Sequence, residues 1–123
     1  MRETSYVRIA AKALVISGFI ILGLACSGDG KGRYVIADSK SYEASLFRQN
    51  CSICHGLEAE GRTLGDGRVV PNLRQGPFKY KTDGEIYTHI SDGGNGMVPF
   101  RGQLSEREIR LLVGFVRNDL RQE

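Results

Sequence analysis

Two cysteines and a histidine lie within one five-residue stretch of this chain, Cys51-Ser52-Ile53-Cys54-His55. Cysteines three residues apart lie on neighbouring positions of one helical turn. From there both sulfurs can reach the two vinyl groups at one edge of a porphyrin, and the next imidazole can reach the iron from the same side. The pattern therefore predicts one covalent haem c, bonded through Cys51 and Cys54 and ligated by His55.

Zinc binding and dithiol redox chemistry are the alternatives for this motif. A structural zinc site needs four ligands, usually as two separated pairs, and the remaining candidates, Cys26 and His89, are far apart in the sequence. A thioredoxin-type dithiol lies after a strand in a βαβ pattern, and no such pattern precedes Cys51. Both alternatives are therefore weaker than haem attachment.

The second axial ligand decides whether such a haem carries electrons or binds a gas or peroxide. Met97 lies in the glycine-rich stretch 93–100, in which the glycines allow close backbone approach and Pro99 stiffens the chain after it. His89 is the rival, although a histidine on a short helix is more often structural. We expect Met97 as the second ligand, and a neutral thioether raises the haem potential because it favours ferrous iron.

The beginning of the chain has the pattern of an export signal. Arg2, Arg8 and Lys12 make it basic, and a mainly apolar run covers residues 13–25. This run is shorter than the roughly 20 apolar residues of a transmembrane helix. The pattern predicts a secretory signal over residues 1–25.

Cys26 follows this run directly, in Gly23-Leu24-Ala25-Cys26. A small residue followed by cysteine resembles the lipobox of bacterial lipoproteins, which implies lipidation of Cys26 and a membrane-anchored mature protein. The position three before the cysteine is usually Leu and here is Gly23. The alternatives are an ordinary signal peptide cut near Ala25 and an uncleaved N-terminal anchor. In each case we expect the periplasm or the outer face of the cytoplasmic membrane. With Cys26 on lipid and Cys51 and Cys54 on haem, no cysteine remains for a disulfide.

The exported part is short and nearly neutral. Without the three basic residues and one acidic residue of the signal, the totals of 17 and 14 fall to 14 and 13, a net charge of +1. This balance argues against nucleic acid as a partner. Residues 26–123 suffice for one small domain, for which a covalently held macrocycle would supply much of the apolar centre.

Capping patterns locate the helices of this domain. Ser41 is a candidate N-cap for a helix that runs to about Asn50 and leads into the motif. Thr82 and Glu85 form a capping box that opens a second, short helix, and glycines follow its end. A second capping box opens the last helix, whose buried face is predicted to carry Ile109, Leu112, Val113, Val116 and Leu120.

Glycine and proline divide the rest of the domain into loops. Residues 26–40 predict a flexible tether, and the domain is expected over residues 41–123. Residues 56–80 predict a long loop around one haem face. Its basic residues, and the arginines on the outer face of the last helix, suit either a docking surface or a solvated face, and we favour the latter. Together the elements predict an all-α fold of three to four short helices with long loops.

The stretch from about Ser41 to Leu120 resembles the class I cytochrome c family in its small bacterial, one-haem form. Phe47 and Phe115 resemble the aromatic pair of two helices that cross at close range in that family. The family often has a glycine where this chain has Glu43, which implies either a looser crossing or a close contact made by Ala44.

Two further segments carry the resemblance. Pro71-Asn72-Leu73 resembles the segment whose proline carbonyl accepts the Nδ1–H of the haem histidine. This implies that Pro71 orients His55 and that Leu73 packs on the haem. The usual Met-Pro pair is here separated by one residue, as Met97-Val98-Pro99.

The resemblance implies a cytochrome c fold and an electron carrier that is not an enzyme. Its partners would be periplasmic or membrane redox proteins. One alternative is a haem subunit of a larger membrane redox enzyme. Another is a haem sensor or peroxidase, which would need the position of Met97 on the iron to be open.

Overall fold

The computed structural model describes residues 32–121. The predicted signal, the start of the tether and Cys26 lie outside the described residues. The elements follow in the order α1 (Tyr42–Asn50), α2 (Ser52–His55), β1 (Arg62–Thr63), β2 (Val69–Val70), α3 (Asp83–Asp92), α4 (Glu106–Gly114) and a π-helical segment (Phe115–Leu120). Within the described range, no helix has the length and hydropathy needed to cross a membrane.

The predicted helix starts are present. The Ser41 hydroxyl accepts a hydrogen bond from the backbone of the first turn of α1, at 3.2 Å. In α3, Thr82 Oγ1 accepts from the backbone N–H of Glu85, and the Glu85 carboxylate accepts from the backbone N–H of Thr82. Ser105 and Glu108 repeat this reciprocal pair at the start of α4. These caps satisfy amide groups that a helix start leaves without partners.

The core lies where α1 meets α4 and the segment after it. The rings of Phe47 and Phe115 are 6.0 Å apart between centroids. Ala44 is fully buried on the same helix as Phe47. The structure thus confirms the expected helical fold and the contact of the two aromatic residues.

The flexible tether was predicted to cover residues 26–40, but the last residues of this range belong to the folded domain. Ile36 has no exposed surface, and the Tyr34 ring packs edge-on against Phe115 at 5.2 Å. The Arg48 guanidinium donates to the Ser39 carbonyl at 2.9 Å and also to that of Ile36. The folded unit therefore begins at Arg33 rather than at residue 41.

The long loop of residues 56–80 contains a small hairpin that the sequence did not predict. Arg62 pairs with Val70 and Thr63 with Val69 in an antiparallel ladder. Glycine and proline flank these strands, and only two residues of each pair. The element is too short to give a strand pattern in the sequence, and the fold class stays helical.

The last helix widens instead of continuing straight to Leu120. The backbone N–H of Phe115 is shared between the carbonyls of Leu111 and Leu112, and a π-helical segment follows. The wider turn keeps Phe115, Val116 and Leu120 all buried.

Two arginines predicted on a solvated face of the last helix instead join it to the segment before α3. Arg117 forms an ion pair with Asp83 at 3.2 Å and donates to the Lys81 carbonyl. Arg121 donates to the Tyr80 carbonyl at 2.6 Å. These bonds hold residues 80–83 against Arg117 and Arg121.

Candidate haem site

The two cysteines and the histidine of the motif lie on one turn at the junction of α1 and α2. Cys51 closes α1 through a 2.9 Å bond from its N–H to the Phe47 carbonyl, and its own carbonyl accepts from His55 N–H at 2.9 Å. Cys51 is half-buried and Cys54 is exposed, and neither is in a disulfide. Burial, with a smaller contribution from Cys54, raises the pKa of the Cys51 thiol to about 12. The three predicted groups are therefore adjacent, as the spacing requires.

The His55 imidazole is half-buried, and the backbone carbonyl of Pro71 lies near it. Burial lowers the pKa of His55, the Pro71 carbonyl opposes that shift, and His89 adds to it. The buried Nδ1 of His55 has no hydrogen-bond partner among the described residues. The Pro71 carbonyl thus lies near the imidazole, and its role in orienting the ring stays a prediction.

Gly61 is what lets the Pro71 segment come so close, and sequence reasoning missed it. Its N–H donates to the His55 carbonyl at 2.8 Å. Its φ is +75°, and a Cβ there would lie 2.5 Å from the Val70 carbonyl oxygen and 2.8 Å from the Pro71 carbonyl carbon. Gly61 therefore holds the histidine and the proline segments together, a role that only a residue without a side chain can take.

Replacing Gly61 with alanine should strongly destabilise the domain and disturb the setting of His55. The left-handed backbone alone costs about 1–2 kcal/mol, and the clash with Val70 adds to it. Gly67→Ala is the matched control, because Gly67 has φ +84° with no atom within 4 Å of its Cβ position. Chemical denaturation of both variants gives the comparison. Equal losses of unfolding free energy would show that the close approach at Gly61 is unimportant.

Leu73 lies half-buried against the core, as does Met97. The Leu73 N–H donates to the carbonyl of Ala59 at 2.9 Å, and Ala59 is itself fully buried in a left-handed conformation with φ 63°. This bond fixes the segment after Pro71 against the loop after α2. Leu73 thus packs against the core, and its predicted contact with the haem stays a prediction.

The Met97 loop folds back on itself after α3. Gly94 and Met97 exchange two backbone hydrogen bonds, of 2.9 and 3.0 Å. A Cβ on Gly93, whose φ is +73°, would lie 2.6 Å from the Met97 carbonyl oxygen. Gly93 therefore allows the backbone of Met97 to pack closely against the end of α3. The sequence had instead suggested that the glycines allow close approach of the backbone to the haem.

His89, the rival to Met97, is engaged in the packing of α3. Its ring stacks on Tyr80, with centroids 4.3 Å apart and planes 30° apart. Burial lowers its pKa, the Gly93 backbone opposes this, and Lys79 adds to it. A stacked, partly buried imidazole agrees with the structural role favoured for His89.

A buried ion pair beside the motif was not predicted. Arg74, assigned from sequence to the solvated loop, is only 3% exposed, and its Nη2 lies 2.8 Å from Glu58 Oε2. The Glu58 carboxylate also accepts the N–H groups of Ile36 at 2.9 Å and Ala37 at 2.8 Å. Glu58 thus joins the segment of Ile36 and Ala37 to the loop that follows the motif.

The donor set fits a covalently bonded haem. Two thiols without a disulfide and an imidazole share one turn, and the apolar side chains of Ile53 and Leu57 beside them are exposed. Burying such surface against a porphyrin is favourable. Over residues 32–121, no group of three or more His, Cys, Asp or Glu side chains could hold a metal ion, which leaves the zinc alternative without further ligands in this range.

Comparison with known proteins agrees with this site. Residues 43–116, which include the motif and Met97, match a family model described as cytochrome c oxidase, cbb3-type, subunit III. A solved structure named KustC0563 c-type cytochrome is 29% identical, with a TM-score of 0.53, over 59% of this chain and 90% of that one. These matches support the helical fold and the covalently bound haem c.

Proposed function

Because this chain belongs to the family described as cytochrome c oxidase, cbb3-type, subunit III, we propose that it is an electron carrier with one haem c ligated by His55 and Met97. The fold and the cofactor are those of a small c-type cytochrome. The observation that carries the proposal is the single turn that presents two thiols and an imidazole, with a methionine loop packed against the same core.

The side chains have separate parts in this function. Cys51 and Cys54 would bond the porphyrin, and the carbonyl of Pro71 would fix the ring orientation of His55. Met97 would occupy the other side of the iron. The bound haem supplies a one-electron couple, while the protein sets its potential and limits the access of water.

A haem subunit of a larger membrane redox enzyme is the second candidate. The family description, which names an oxidase subunit, favours it. Both candidates use the same ligands and differ in whether the domain diffuses. Co-purification with a membrane redox complex would support the subunit, whereas a haem domain that separates freely would support the carrier.

We place the protein outside the cytoplasm on the export pattern of residues 1–25 and propose lipidation of Cys26. Haem attachment through this motif is extracytoplasmic in bacteria, which agrees with export. An inhibitor of lipoprotein signal peptidase should leave the precursor uncut. Unchanged processing under the inhibitor would rule out the lipid anchor and leave the haem assignment intact.

A visible spectrum and a pyridine haemochrome assay test the central claim. We expect covalent haem c after maturation in a host that attaches haem, and ferrous protein that resists carbon monoxide because Met97 holds the sixth position. Rapid carbon monoxide binding would instead indicate a sensor or peroxidase. Colourless protein with both thiols free to alkylate would contradict the proposal.

A further inference from the structure

We propose that Arg68 and Tyr80 are positioning residues that hold the Met97 loop from two sides and so keep the methionine on the haem iron. The inference rests on the proposed ligation by Met97. Each of the two residues that precede Met97 is bonded to a different part of the fold, Gly96 to Arg68 and Asn95 to Tyr80. Neither contact is local in the sequence.

The first contact comes from the hairpin. Arg68 lies just before β2, and its Nη1 donates to the Gly96 carbonyl at 3.2 Å. Asp66 orients the guanidinium, accepting from Arg68 Nε at 2.7 Å and from its backbone N–H at 3.0 Å. A Cβ on Gly96 would lie 3.2 Å from this Nη1, so the glycine leaves room for the guanidinium beside the loop. A charged donor makes this bond stronger than a neutral one.

The second contact comes from the segment before α3. Asn95 Nδ2 donates to the Tyr80 hydroxyl at 2.8 Å. The ring of Tyr80 is fixed, because it stacks on His89 and its carbonyl accepts from Arg121. Asn95 has φ +50°, a left-handed conformation that asparagine adopts more readily than most residues with a side chain. The side-chain bond ties the turn before Met97 to the segment before α3.

The expected consequence concerns how often the loop opens. An external ligand such as imidazole can bind the iron only when Met97 has left it. The apparent affinity for imidazole is therefore the affinity of the open form multiplied by the fraction of molecules in which the loop is open. Removing either contact should raise that fraction while the cysteines, His55 and Met97 all remain.

Imidazole titration of the ferric holoprotein tests the proposal. Arg68→Ala and Tyr80→Phe should each raise the imidazole affinity about threefold, because both contacts are exposed to solvent. Arg68→Lys keeps a charged donor, so its imidazole affinity should lie between those of the wild type and Arg68→Ala. The controls are Tyr42→Phe, which removes a hydroxyl bonded to Glu108 on α4, and Arg110→Ala, which removes an exposed arginine of the same helix.

Three outcomes separate the claims. Tighter imidazole binding in both loop variants, with affinities in the controls unchanged and thermal unfolding similar throughout, supports the proposal. Affinities within twofold of the wild type, in protein whose ferric spectrum shows the sulfur-to-iron absorption, would overturn the role of Arg68 and Tyr80 alone. A wild-type spectrum without that absorption would overturn the ligation by Met97 and this inference with it.

Discussion

Replacement of Met97 with alanine is expected to abolish the weak sulfur-to-iron charge-transfer absorption at the red end of the ferric spectrum. The midpoint potential should fall by at least about 0.1 V, a small part of the roughly 0.8 V over which axial ligands set haem potentials. The reason is that the neutral thioether stabilises ferrous iron, and water or hydroxide would take its place. Spectroscopy and potentiometric titration measure both changes.

Val98→Ala is the matched control for this experiment. Val98 is the next residue of the same loop, and its side chain is largely exposed, so its truncation should leave the potential and the absorption unchanged. The Met97 variant should also bind carbon monoxide readily when reduced. If its spectrum and potential matched those of the wild type, His89 or another group would have to be the ligand.

Substitution of Glu58 with glutamine should lower the free energy of unfolding by about 3 kcal/mol. Breaking a buried pair by removing one partner typically costs 3–5 kcal/mol, and the Glu58 side chain keeps 24% exposure, which favours the lower end. Arg74 would be left almost fully buried without its carboxylate. For a domain of this size the melting temperature should drop by about 10–25 °C.

Glu106→Gln is the control, because its pair with Arg110 spans 4.0 Å between two exposed side chains. Such surface pairs contribute about 0–1 kcal/mol. Denaturation of both variants in the holo form gives the comparison. Equal small losses would mean that solvent reaches Arg74 and that the pair contributes little.

The effect of Glu58 should also depend on pH. Burial alone would raise its pKa, but the N–H groups of Ile36 and Ala37 and the charge of Arg74 together lower it from the ordinary 4.5. A carboxylate with a lowered folded-state pKa contributes full stability above the unfolded value and loses it as the pH falls through the folded value. The gap between wild type and Glu58→Gln should therefore narrow below about pH 4.5 and stay constant above pH 6.

The parts of the fold that the sequence predicted are those with local causes. The haem motif requires five adjacent residues, and each capping box requires a hydroxyl and a carboxylate three positions apart, as Thr82 and Glu85 are. The glycines around Met97 likewise predict a tight loop. Such signals are complete within one or two helical turns, so a single sequence contains them.

The features that escaped prediction depend on residues distant in the sequence. In the sequence, Arg74 has the pattern of an exposed loop cation. Its partner Glu58 lies 16 positions earlier, so only the structure shows the ion pair. Ile36 gives no sign of burial, because its partners lie on other elements. The role of Gly61 follows from where residues 70–72 return, which no local pattern specifies.

The burial of Ile36 has a practical consequence for shortened forms of the protein. A fragment cut at Ser41 would delete both Tyr34 and Ile36, strip the covering ring from Phe115, and deprive the Glu58 carboxylate of two amide donors. An affinity tag or protease cleavage sequence therefore belongs upstream of Arg33. At that position, the tag leaves the packed residues from Arg33 onward intact for crystallisation or electrochemical measurements.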